Sequence, residues 1–233
     1  MQTKWAKKLI SALIVLVGIP LVMAVGVLFF GDRKYNIISM IIAILACAPF
    51  FLRFERQKKS SREMIIIAVM ITLSSIGRFA FAPIPGFKPV TAMVVITAIY
   101  FGSEAGFITG AFSALLSNIF FGQGPWTPFQ MFVWGFLGFF AGVLASKGLL
   151  DNKIQLSVYG VAAGIAFSLM MDVWTVISMD GFFNMSRYLV AVAASLPFMF
   201  IYAVSNIIFL LALEKPIGKR LERIKVKYQI TNN

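Results

Sequence analysis

Long apolar runs alternate with short polar breaks along the chain, and most of the runs are long enough to cross a membrane. A spanning helix needs about 20 predominantly apolar residues. The runs predict eight helices, at residues 9–30, 36–52, 63–81, 90–101, 104–121, 128–146, 155–179 and 187–214. Only Gly102 and Ser103 separate the short fourth run from the fifth, but a single helix through both would far exceed the bilayer. We therefore predict an all-α membrane protein.

A basic linker at residues 53–62 is the sharpest change in composition, and it divides the predicted helices into two groups. Residues 1–52 contain two leading helices with few polar side chains, to which we assign no chemistry. Residues 63–214 contain the remaining six helices, and residues 215–233 form a basic tail. The predicted architecture is a six-helix bundle preceded by two extra transmembrane helices.

The placement of the positive charge predicts the orientation of the helices. The net charge is +12, which in a soluble protein would suggest nucleic acid. With eight spans, however, sixteen Lys and Arg residues fall on the side of the termini and five fall elsewhere. Positive residues concentrate on the cytoplasmic side of membrane proteins. We therefore expect both termini to be cytoplasmic and loops 82–89, 122–127 and 180–186 to be extracellular, with no nucleic-acid partner.

Several kinds of chemistry are excluded by composition. The chain has no histidine, and its single cysteine, Cys47, lies inside an apolar run. This removes the commonest general base and metal ligands, and the sequence lacks a phosphate-binding GxxxxGK[ST] loop. We predict no catalytic residue, no metal site and no cofactor. A membrane protein that binds a ligand without its own ATPase needs partner subunits.

The loop 121–131 has the composition of a ligand-binding segment. Two glycines and two prolines within seven residues interrupt the helical pattern, because proline lacks the N–H group that a helix needs. The loop also carries Trp126, Thr127, Phe129 and Gln130, which combine apolar faces with hydrogen-bonding groups. Small-molecule pockets have this mixture. The alternative is a tight hairpin that anchors Trp126 at the membrane interface.

Arg78 and the loop that follows it are further candidates. Charged groups within a membrane span are functional candidates by default, but Arg78 lies near a helix end, where its side chain would also reach the headgroups. The loop 82–89 has three prolines and Gly86 and carries Phe87 and Lys88, so it is either a lid over a pocket or an inert connector.

Polar side chains within the predicted spans add Asn118 and Asp172, the latter two residues before Trp174. For each of these, a hydrogen bond between neighbouring helices is the simplest interpretation. Small residues at four-residue spacing also recur, and most of them are expected to serve internal packing. We select the pair Ala68 and Thr72 as the face that contacts a partner subunit.

Four segments together resemble the substrate-binding S components of energy-coupling factor (ECF) vitamin importers. They are Gly77-Arg-Phe, Pro83-x-Pro-Gly-Phe-Lys-Pro-Val-Thr91, Gly102-x-x-x-Gly106 and Gly122-Gln-Gly-Pro-Trp-Thr-Pro-Phe-Gln-Met-Phe-x-Trp-Gly135. The resemblance covers about residues 63–214. It implies a six-helix substrate-binding domain of the bacterial cell membrane. It also implies a vitamin ligand and association with a membrane coupling protein and two ATPases.

The resemblance also implies most of the residues that bind the ligand, and it favours one vitamin over others. The residues that the resemblance implies are Arg78, Phe87, Lys88, Trp126, Thr127, Phe129, Gln130, Asp172 and Trp174. Phe81 and Asn118 complete the set of predicted ligand-binding residues. The similarity is greatest to S components linked to cobalamin uptake, while riboflavin and pantothenate stay open because a fold does not fix its ligand. Two alternatives of other classes are a membrane-embedded transferase, which would have to use Asp172, Glu104 or Arg78, and a gradient-driven carrier.

Overall fold

The structure is a computed structural model that describes residues 35–56 and 60–228, and in these ranges it contains helices and no strands. The helices are α1 (Tyr35–Arg56), α2 (Ser61–Ala80), α3 (Val90–Phe101), α4 (Ser103–Phe121), α5 (Thr127–Ala145), α6 (Lys153–Asp180) and α7 (Met185–Tyr228). Five of them, α2 and α4 to α7, are long and apolar enough to cross a membrane. The predicted fold class is confirmed, while the first predicted span, 9–30, lies outside the described residues.

Local sequence signals define where several helices begin and end. The Ser60 hydroxyl accepts a hydrogen bond from the Glu63 N–H group at the start of α2. At the start of α6, Asn152 and Gln155 form a reciprocal capping box, which satisfies backbone donors that the helix leaves unpaired. Between α3 and α4, Gly102 has a φ of +89°. This left-handed conformation favours glycine, so the predicted break between the two helices is confirmed.

The short helix α3 lies at the centre of the bundle. Its side chains Val94, Val95 and Ile96 are fully buried, and α3 packs against α2, α4, α5 and α7. Helix α1 packs on α4 and α5 at the outside of this group. The loops after α2 and α4 lie at one end of the bundle, because Arg78 near the end of α2 contacts Asn118 near the end of α4.

Glycines allow two pairs of helices to approach at backbone distance. A Cβ atom built on Gly106 of α4 would lie 2.6 Å from the carbonyl oxygen of Gly138 of α5. A Cβ atom on Gly164 of α6 would lie 2.7 Å from the backbone nitrogen of Ala203 of α7. Small residues at helix contacts have this effect in membranes. The prediction that they serve internal packing is confirmed for these positions.

The last helix is longer than predicted. We expected it to end near residue 214, but α7 continues through Pro216 to Tyr228. Gly218 and Leu221 are buried, and the Lys225 ammonium donates a hydrogen bond to the Tyr100 carbonyl oxygen at 2.8 Å. The expected helix end was wrong because these contacts with the end of α3 hold the basic segment in helical conformation.

Replacing Gly106 with leucine should destabilise the folded chain by about 3 kcal/mol, since the facing Gly138 backbone cannot move aside as a side chain would. Thermal unfolding in detergent, followed by circular dichroism, measures the change. The control is Ala68→Leu on the exposed face of α2, for which we expect little change. Equal melting temperatures for the two variants would contradict the close packing of α4 on α5.

Candidate functional site

Arg78 turns its side chain into the bundle, and only 6% of the residue is exposed. Its Nη1 atom donates hydrogen bonds to the Ser117 hydroxyl and, at 2.8 Å, to the Asn118 side-chain oxygen. Its Nε atom is buried and has no hydrogen-bond partner among the described residues. The alternative in which Arg78 extends to the headgroups is therefore wrong.

The hydrogen bonds of Arg78 continue across three helices. The Asn118 amide nitrogen donates to the Thr127 hydroxyl at 3.0 Å and to the Gln130 side-chain oxygen at 2.8 Å. The Thr127 hydroxyl in turn donates to Gln123 at 2.9 Å. Asn118 therefore accepts from α2 and donates to α5 with one side chain. This network fixes the positions of Arg78 and Gln130 relative to each other.

Two aromatic rings flank the guanidinium group. The Arg78 Cζ atom lies 4.7 Å from the centroid of the Phe121 ring and 5.0 Å from that of the Trp134 ring. A cation within about 6 Å of an aromatic face is stabilised by the ring quadrupole. The rings therefore stabilise the charge and, together with the burial of the arginine, limit its contact with water.

Lys88 brings a second cation to the same place from the loop between α2 and α3. The loop is attached to α7, because the Lys88 N–H group donates to the Ser205 hydroxyl at 2.9 Å and the hydroxyl donates back to the Lys88 carbonyl oxygen. Burial and, to a smaller extent, the positive charge of Arg78 together lower the pKa of Lys88 to about 8. The ammonium lies 5.9 Å from the centroid of the Phe121 ring.

Both cations line a cavity of about 160 Å³ beneath this loop. Its walls also include the stacked rings of Trp134 and Phe167, whose centroids lie 5.0 Å apart. Among the described residues, the lining consists of Arg78, Gly86, Lys88, Val90, Thr91, Gln130, Trp134, Gly164, Phe167, Met171, Tyr202 and Asn206. The aromatic rings form a flat apolar wall, the two cations lie along one edge of the cavity, and Gln130 and Asn206 each contribute a side-chain amide. This arrangement suits a ligand with a ring system that carries hydrogen-bond acceptors.

Among the predicted site residues, Arg78, Lys88 and Gln130 line the cavity, and Asn118 and Thr127 hold them in place. The other predicted residues are not part of the lining. Phe81 and Phe87 pack against Phe209, and Phe129 packs against Trp174 at 4.9 Å between centroids. Asp172 accepts a hydrogen bond from Ser195 at 2.6 Å. Trp126 is 36% exposed and packs its ring over Gly124.

The sequence analysis did not predict several residues that line the cavity. For two of them, Trp134 and Tyr202, the spacing from a polar residue on the same helix could have indicated their position. Trp134 follows Gln130 by four residues, so both occupy one face of α5. On α7, Tyr202 precedes Asn206 by four residues, so these two also occupy one helix face. A helical projection from each polar residue would have found its aromatic neighbour. Thr91, Phe167 and Met171 carry no such signal because their burial depends on how the helices pack.

The apolar helices are those of a multi-pass membrane protein, and the polar-edged cavity has the composition of a small-molecule pocket. A family model described as ECF-type riboflavin transporter, S component, matches residues 58–219, and the chain belongs to this family. S components are the vitamin-binding, non-catalytic subunits of these transporters, so the expected class of transport subunit is confirmed. The expected cobalamin specificity stays a prediction.

Two relatives that match the chain carry names that state no ligand or activity. Two UPF0397 proteins from Aliivibrio fischeri, of strain MJ11 and of strain ATCC 700601 / ES114, are each 24% identical to the chain over 156 residues. The alignments cover 60% of this chain and 84% of each relative. No solved structure matches the chain significantly.

Vitamin binding should weaken above pH 8 if the Lys88 ammonium contacts the ligand, because the free protein then loses the proton that the contact needs. The dissociation constant should rise up to about tenfold per pH unit, and Lys88→Met should remove this dependence. Calorimetric titrations between pH 6.5 and 9 measure it, with Lys153→Met at the other end of the bundle as the control.

A loss of vitamin binding above pH 8 would not be explained by unfolding of the chain through Lys88. The pKa of Lys88 is lower in the folded chain than its ordinary value of 10.5, so between about 8 and 10.5 the unfolded chain binds more protons. Through this group, the folded state gains stability as the pH rises in that window. A pH profile that is the same in Lys88→Met and in the wild type would remove Lys88 from the ligand contacts.

Proposed function

We propose that this chain captures a flavin in the cavity between Arg78 and Trp134 and presents it to an ATP-driven import complex. The observation that carries the proposal is Arg78, a charged donor held inside an apolar bundle with its Nε atom unpaired among the described residues. An ionic side chain in a membrane span is costly. A ligand that accepts a hydrogen bond from this donor would offset part of that cost, which explains why the arginine is placed there.

The composition of the cavity indicates the chemistry of the ligand. Arg78 and Lys88 supply positive charge, and none of the lining residues that the structure describes is a carboxylate. The ligand should therefore present acceptor atoms to this edge. The dione edge of a flavin carries two carbonyl oxygens and ring nitrogens, which suits the planar fork of an arginine. Its flat ring system suits the wall formed by Trp134 and Phe167.

The size of the cavity requires part of the roof to move. Pockets for drug-sized ligands have volumes of about 300–1,000 Å³, whereas this cavity has about 160 Å³. We infer that the loop carrying Gly86 and Lys88 lifts away from Ser205 when the vitamin enters. The edge of the vitamin that carries its hydrogen-bond acceptors would lie deepest in the cavity, next to Arg78.

Cobalamin is the second candidate, and the pair of cations favours it. The phosphodiester group of cobalamin is anionic, and its amide side chains carry many acceptors, so Arg78 and Lys88 would match it. Its corrin ring is far larger than the cavity, however, and its entry would require a greater displacement of the loop. The name of the family and the size of the cavity both support a flavin over a corrin.

The proposed complex contains a membrane coupling protein and two ATPase subunits. We propose that residues 63–214 form the binding domain, that residues 53–62 are a cytoplasmic linker, and that both termini are cytoplasmic. The partner face is Ala68 and Thr72, both exposed. The Thr72 hydroxyl donates to the Ala68 carbonyl oxygen at 2.9 Å, which leaves a smooth, apolar surface for a helix of the coupling protein.

Calorimetry of the purified chain with riboflavin, cobalamin and pantothenate tests the proposal. We expect riboflavin to bind with a nanomolar dissociation constant, a free energy near −12 kcal/mol, and its fluorescence to be quenched beside Trp134. Tight binding of cobalamin alone would establish the second candidate. Binding of none of the three would contradict the proposal, and uptake into proteoliposomes without ATPase subunits would favour a gradient-driven carrier.

A further inference from the structure

The final turns of α7 carry a row of four cations on one helix face. Lys215, Lys219, Arg223 and Lys227 follow one another at four-residue spacing, and all four are exposed. We call them the cation row. Residues four apart on a helix are neighbours on its surface, so the charges form a continuous strip about 18 Å long at 1.5 Å per residue.

The opposite face of the same segment is fixed to the bundle. Gly218 and Leu221 are buried, and Leu221 belongs to an apolar cluster with Ile67 of α2 and Phe101 of α3. The Tyr100 hydroxyl donates a hydrogen bond to Glu214 at 3.1 Å. The cation row is therefore carried by a packed helix with a fixed orientation.

The row continues the lipid-facing side of α7. Ile208 and Leu211 are exposed apolar residues, and Lys215 follows Leu211 by four residues on the same face. The change from apolar to cationic occurs where α3 ends, since Leu221 packs beside Phe101, the last residue of α3. An apolar strip that turns cationic at the end of a spanning bundle lies at the depth of lipid headgroups.

We propose that the cation row binds the phosphate groups of anionic phospholipids. Lys219, Arg223 and Lys227 lie on one face of the helix together with Val226 and Glu222. Val226 is 80% exposed and offers an apolar contact beside the charges. Lysine and arginine near an anionic membrane surface each contribute about 1 kcal/mol to binding. The ligand class is a phospholipid with a net negative headgroup.

The test is the affinity of the full-length chain in detergent for phosphatidylglycerol, titrated and read by native mass spectrometry. Lys219→Gln with Arg223→Gln should weaken binding about thirtyfold, from the loss of two such cations. The matched control, Lys147→Gln with Lys153→Gln, removes two exposed cations where α5 connects to α6 and should leave the affinity unchanged. Lys219→Arg should bind as the wild type does, and phosphatidylcholine should show no difference between variants.

Two results would overturn the proposal. One is equal weakening of phosphatidylglycerol binding in both double variants, which would indicate a general effect of net charge. The other is an unchanged affinity for phosphatidylglycerol together with loss of assembly with the coupling protein and ATPases, which would assign the row to an acidic protein surface. Vitamin binding by each variant shows that the chain is folded, and it tests the proposed function separately.

Discussion

A guanidinium group held inside an apolar helical bundle is the constraint on which this structure depends. Moving an ion out of water costs several kcal/mol unless charge-assisted hydrogen bonds offset it. Arg78 has two such bonds, to Ser117 and Asn118, and two aromatic neighbours. Because Asn118 also donates to Thr127 and Gln130, stabilising this one charge sets the relative positions of α2, α4 and α5 at one end of the bundle.

The two ends of the bundle use positive charge in different ways. At the cavity, Arg78 and Lys88 are turned inward beneath a loop attached to α7, where low polarity strengthens their attraction for acceptor atoms. At the other end, the cation row faces outward from a helix whose inner side is packed. Close contact of α4 with α5 through Gly106 and Gly138 keeps the bundle narrow between these ends.

The sequence contains enough information for the fold and for part of the site. Apolar runs predict helices because each must satisfy its own backbone within a membrane, and Arg78 and Gln130 stand out as polar groups near span ends. The choice of Trp126 over Trp134 shows the limit, since which ring faces the cavity depends on how α5 packs. The sequence also did not predict that α7 extends to Tyr228. Residues 215–228 are mostly basic and include Pro216, and this composition is typical of a solvated tail, although Leu221 is buried.

Replacement of Arg78 tests the central claim most directly. Methionine at this position removes a buried charge, and an apolar residue of similar volume is often tolerated or stabilising, while Asn118 keeps its bonds to Thr127 and Gln130. For the vitamin that the wild type binds, Arg78→Met should raise the calorimetric dissociation constant about a hundredfold or more. Arg78→Lys keeps the positive charge but lacks the forked guanidinium group, so its dissociation constant should lie between those of the wild type and Arg78→Met. A folded Arg78→Met chain that binds the vitamin as tightly as the wild type would contradict the account.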